Sequence, residues 1–206
     1  MTHKADFKQP YDYSKDLKTL VMMTNRLENY VRGTEIYGNE GMFTSGFPAV
    51  TIGGILLRTR RLNALREFIG KSKQVTLDAS IAKHDAIYEE WKAHYETKIV
   101  DEAKSRIERI DQFIQEVLEN PESSTNAFEP EQMRRTILQE ILHMIHRSNI
   151  QDDTLTQTLA SVDANLQEII VPSAFQWHPT LETVYSSDEF WWLYREFNTD
   201  AVRDRD

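Results

Sequence analysis

The residues most suited to chemistry are a carboxylate and two histidines in one short run. In QEILHMIH, Glu140 and His143 stand one helical turn apart, and His146 follows three residues later. Glu-x-x-His on a helix is half of the ligand set of a di-metal carboxylate centre in a helical bundle, which needs two such motifs and two further carboxylates. The other candidate pair, Glu90 and His94, has a spacing of four. On a helical wheel Met133, Ile137, Ile141, Met144 and Ile145 cluster on one side, with His143 about 200° and His146 about 140° from Ile141. Ligands of a bundle centre face the core, so the reading is that the chain holds no metal and no cofactor. His84 differs. It falls inside an apolar stripe between Ile81 and Tyr88, with Asp85 beside it, and reads as a core histidine with satisfied nitrogens.

A second set of residues could hold an anion. Six of the seven glycines fall between Gly33 and Gly54, just ahead of an arginine-rich segment. With Thr51 as N-cap, Gly53 and Gly54 expose backbone N–H groups at a helix start, where the dipole and the missing Cβ atoms suit an anion. Arg58 and Arg61 follow within two turns. Thr51, Gly53, Gly54, Arg58 and Arg61 are therefore the candidate ligand-binding set for a phosphate or carboxylate. The pattern is neither a Walker loop nor G-x-G-x-x-G, and the same glycines would serve close helix packing. On the wheel this helix has two apolar sides, one with Ile55, Leu62, Leu65 and Ile69, the other with Leu57, Ala64 and Phe68. Arg58 borders the first side and must be paired. The acidic C-terminal part is the expected source of its carboxylate.

Nucleophilic catalysis has no candidate. Cysteine is absent, and neither G-x-S-x-G nor S-x-x-K occurs. The aromatic tail has two readings. Trp177, Trp191, Trp192 and Tyr194 are either anchors of a protein interface or a strap across the chain's own helices.

The elements that would position these groups are helical throughout. Apolar residues recur at steps of three and four, and strand alternation is scarcely found. Helices are expected over about 14–32, 51–70, 76–119, 131–147 and 153–170, with a last short one capped by Ser187 or Asp188. The third is the longest, roughly 65 Å over about 43 residues. Its stripe is interrupted where Glu102 and Arg106 stand at apolar positions, which reads as a kink or an exit from the core. PESSTNAFEP, 121–130, is a loop by composition. The expected fold is all-α: an elongated helical bundle with one very long helix, an ordered Gly-rich apolar loop and an aromatic C-terminal strap. It forms a single helical domain over 1–206, with the N-terminal helices at 14–120 and the C-terminal helices and tail at 129–197.

Composition narrows the function classes. Of 206 residues, 40% are hydrophobic, enough for a core. The absence of cysteine and of an apolar leader fits a cytoplasmic protein, and no apolar run is long enough to span a membrane. The net charge of −9 is unevenly spread. Residues 1–75 carry twelve Lys and Arg against seven acids, a net +5, which leaves the remainder at −14. The negative total weighs against nucleic acid as partner. The reading is a non-enzymatic helical interaction or scaffold protein, with coiled-coil character, that self-associates or joins a larger complex through a protein partner. The alternative is a bundle, binding or enzymatic, that uses Arg58, Arg61 and the Gly53–Gly54 helix start for a small anion.

Overall fold

The computed structural model describes residues 10–38, 48–120 and 128–198. The fold is all-α, 73% helical, with six α-helices and two three-residue strands among the described residues. The chain divides into two compact units. One comprises Asp12–Ala103 and Glu140–Ile150; the other comprises Lys104–Gln139 with what is described of Met1–Tyr11 and Gln151–Asp206.

The first unit is built on α1 (Tyr13–Arg32), α2 (Ile52–Ala64) and α3 (Lys71–Glu90), with the first part of α4 (Lys92–Glu119) and the end of α5 (Phe128–Arg147). The Asp12 carboxylate caps α1 by accepting the Lys15 N–H (3.0 Å), and Leu17, Leu20, Met23, Leu27 and Val31 form its buried stripe. Every residue of α2 from Ile52 to Leu57 is buried. Farther along, the expected second apolar side fails: Ala64 is exposed, and Phe68 is 61% exposed. The α-helix stops at Ala64 and becomes a 3₁₀ turn, Arg66–Phe68, whose carbonyl ends are held by the Gln74 amide, which donates to Arg66 O and Ile69 O (both 2.9 Å). Gly70 then opens α3, five residues earlier than the periodicity indicates.

The expected 43-residue helix is divided at Trp91 into α3 of 20 residues and α4 of 28. The Trp91 N–H still reaches Ile87 O and the Tyr95 N–H reaches Trp91 O (both 2.9 Å), so the break is a one-residue distortion. The sequence places the irregularity at Glu102 and Arg106 instead. There the helix runs on, and both residues are buried, Glu102 completely.

The second unit holds the remaining parts of α4 and α5 with α6 (Asp153–Glu168) and the strands β1 (Ile170–Pro172) and β2 (Arg195–Phe197). Asp152 caps α6 through the Leu155 N–H (2.9 Å), and Leu155, Leu159, Val162 and Leu166 are its buried face. The strands pair antiparallel, with Val171 opposite Glu196. Three residues are too few for an alternation to be read, so this ribbon escapes the sequence analysis. Around it the aromatic tail is strapped down. Trp192 is fully buried, donates Nε1–H to Thr136 Oγ1 (2.9 Å) and lies under the Arg135 guanidinium (4.0 Å to the ring centre). The Gln132 amide donates to the carbonyls of Trp192 and Arg195 (3.0 and 3.1 Å). The last helical piece is a 3₁₀ turn, Trp191–Tyr194, without a side-chain cap.

Candidate functional site

The start of α2 has the local form the sequence indicates. Thr51 is the N-cap, and its hydroxyl accepts the Gly54 N–H (2.9 Å). A Cβ on Gly54 would stand 2.8 Å from that hydroxyl and 3.3 Å from Met23 Cε, so the glycine is a steric requirement of the cap. The Gly53 N–H does point at an anion, and the anion belongs to the chain: it donates to both oxygens of Glu102 (3.2 Å each). A buried carboxylate at a helix start gains from the free N–H groups and the dipole together. The polar interruption in the α4 stripe is thus the partner of the glycine pair in α2.

The arginines after it are also matched internally. Arg58 donates Nη1–H to Gly54 O (2.8 Å), and its Nε lies 3.8 Å from Asp16 Oδ1. Arg61 Nη1 lies 3.7 Å from the other oxygen of the same carboxylate. Asp16 belongs to α1, so the acid comes from the N-terminal helix and not from the C-terminal part. The chain leading into this region is pinned as well. Gly38 and Val50 exchange two backbone hydrogen bonds (3.0 Å each), and a Cβ on Gly38 would come within 2.9 Å of the Tyr30 ring. Lys98 donates to the carbonyls of Gly33 and Glu35 (2.7 and 2.9 Å). The apolar residues Met42, Phe43 and Phe47 of the Gly-rich segment lie outside the described residues.

Farther along α2 the surface opens. Arg60 Nε stands 2.9 Å from Glu140 Oε1, an ion pair not aligned as a hydrogen bond, and the other oxygen of Glu140 is 3.6 Å from His143 Nδ1. Glu140 is buried and His143 half-buried beside it, so the i, i+3 spacing does bring the two side chains together. They flank a cleft of about 560 Å³, which Thr59, Asn63, His146 and Arg147 also line. Among the described residues no three His, Cys, Asp or Glu side chains are grouped to hold a metal ion.

His84 heads a closed polar chain. Its Nδ1 is 2.9 Å from Asp85 and its Nε2 is 2.7 Å from the Tyr95 hydroxyl. A neutral ring satisfies both by donating Nδ1–H to Asp85 and accepting the Tyr95 O–H. Burial pulls the His84 pKa down, and burial pushes that of Tyr95 well up. Tyr95 is fully buried, so the chain links α3 to α4 across Trp91 and does not face a substrate.

A groove runs along α1 and α3. Leu17, Val21 and Met22 form its apolar floor, with Lys18, Asn25, Arg26 and Thr76 around it and a volume of about 530 Å³. Lys73 donates to Ser14 Oγ (2.7 Å) and Lys83 to Asn25 Oδ1 (2.8 Å). These two bonds set α1 and α3 parallel and mark a span of eleven residues on α1, about 16 Å. Both lysines meet neutral acceptors, and Lys18 makes no ion pair among the described residues. Among the described residues no carboxylate lines this groove.

Of the aromatic candidates in the second unit, Trp177 and Trp192 are buried, while Trp191 and Tyr194 are half-buried. Tyr194 donates its hydroxyl to Tyr185 O (2.8 Å). Asp16, Arg60, Glu102 and Arg147 were missed as site residues. Only Glu102 carried a signal, as a charge in an apolar stripe.

No helix among the described residues is long and apolar enough to cross a membrane. Comparison with protein-family models, curated proteins and solved structures gives no match.

Proposed function

We propose that the chain is a helical interaction protein that receives an acidic amphipathic helix in the groove between α1 and α3. The observation that supports this most directly is an apolar floor bordered by Lys18 and Arg26, with no Asp or Glu among the described lining residues, in a chain whose net charge is −9. Lys18 lines the groove and makes no ion pair among the described residues, and Lys73 and Lys83, which bridge the same two helices, are bonded to the neutral Ser14 and Asn25. Such a rim raises the encounter rate with an acidic partner and rejects a basic one. The apolar floor from Leu17 to Met22 covers about 7.5 Å of α1, enough to meet anchors at i and i+4 of a docked helix.

The test is titration of the full chain with a labelled peptide that alternates leucine at helical spacing with glutamate, against a scrambled peptide of the same composition. Saturable binding of the first alone, weakened by Lys73→Glu with Lys83→Glu, is the expected result. Equal binding of both peptides would remove the reading. Sedimentation of the full chain identifies the occupant as a second copy if a mass above 24.1 kDa reverts to monomer in the same double variant.

A further inference from the structure

The cleft between α2 and α5 is a different kind of surface, and it lies within the first unit alone. We infer that it binds a phosphomonoester group of a small organic molecule. Two guanidinium groups, Arg60 and Arg147, stand there against one carboxylate, Glu140, a net +1 before either histidine is protonated. Protonation of His143 and His146 adds up to two more charges, and no other titratable side chain from α2 or α5 lines the cleft. The one carboxylate is buried and committed, since it holds Arg60 on one oxygen and His143 on the other. It therefore orients one guanidinium and one imidazole from two helices, groups suited to a tetrahedral anion.

The other lining groups are not used by the fold. The side chains of Thr59, Asn63 and His146 have no protein partner among the described residues, and the one hydrogen bond of Arg147 goes to Met144 Sδ (3.7 Å). The Thr59 hydroxyl and Asn63 amide add neutral donors to the two guanidinium groups and the two imidazoles. The volume, about 560 Å³, falls in the range of small-molecule sites and exceeds what a bare phosphate fills, leaving the Leu56 side of the cleft for an apolar moiety. Among the described residues no Phe, Tyr or Trp lines the cleft as a platform for successive bases, which weighs against single-stranded nucleic acid.

The experiment is calorimetric titration of the full chain with sulfate, inorganic phosphate and phenyl phosphate. Phenyl phosphate is expected to bind more tightly than inorganic phosphate. Sulfate, a dianion without an organic group, is expected to bind more weakly than phenyl phosphate. Arg147→Gln and His146→Asn are each expected to weaken phenyl phosphate roughly tenfold, with unchanged melting temperature, because both residues are exposed. Lys92→Gln, which removes the same charge elsewhere on the unit, is expected to leave affinity unchanged. Equal loss in Lys92→Gln and Arg147→Gln would reduce the effect to general charge and overturn the site. So would the absence of any binding, or a single-stranded oligonucleotide that binds more tightly than phenyl phosphate.

Discussion

The first two turns of α2 and its third present the same kind of group to different surroundings. Over its first two turns the backbone N–H of Gly53 and the guanidinium of Arg58 face carboxylates of the chain itself, Glu102 and Asp16. At its third turn Arg60 faces Glu140 but also a cleft with uncommitted donors. Burial accounts for the difference. A charge demand inside the core must be met by the fold, because no solvent is there to meet it. Only where the helix emerges can donors remain available for something outside the chain.

The strongest way to break this contrast is to empty the closed end. Glu102→Ala removes the carboxylate from the Gly53 N–H and leaves a buried cavity, and should cost about 3 kcal/mol in urea unfolding. A cost under about 0.5 kcal/mol would mean that water replaces the carboxylate and the helix start is open after all.

Arg58→Met probes the same end more gently. Asp16 keeps Arg61 as a partner, so the loss should be about 1–2 kcal/mol and not the larger penalty of a stranded buried charge. Asp16→Asn in the Arg58→Met background should add less than it does alone, which a double-mutant cycle measures.

His84 extends the closed character to α3. Burial lowers its folded pKa, so the unfolded chain takes up its proton first as pH falls. The stability that the neutral ring provides is thus complete above the unfolded value of about 6.5 and is lost progressively below it. The parent should lose more stability between pH 7 and pH 5 than His84→Asn, as read by denaturant unfolding at each pH. Parallel curves would mean that His84 reaches solvent.

The smallest effect belongs to the open end. Arg147→Gln should change stability by less than about 0.5 kcal/mol, since the residue is exposed and its side-chain hydrogen bond is to a thioether. A larger cost would sharpen the contrast in the opposite sense, by making the cleft part of the structural framework.

Much of this chain was legible before any coordinates. The stripes of α1 and α6, the Thr51 cap and the tail as a strap follow from helical period, cap chemistry and aromatic density. Those signals are local, because each depends on residues within a few positions of one another. The demand for a negative charge at Gly53 and for a pair at Arg58 was legible for the same reason. Which acids met the demand was not. Glu102 lies 49 residues from Gly53, and the sequence contains 33 acids, so the choice rests on which helix face the fold brings against α2. Phe68 was misread in the same way: its wheel position is apolar, but the α-helix ends at Ala64 and takes its direction from it. Local spacing determines what each segment is able to present. Tertiary contact, through the cost of leaving a buried group unpaired, decides which of those offers the chain itself takes up and which remain at the surface for a partner.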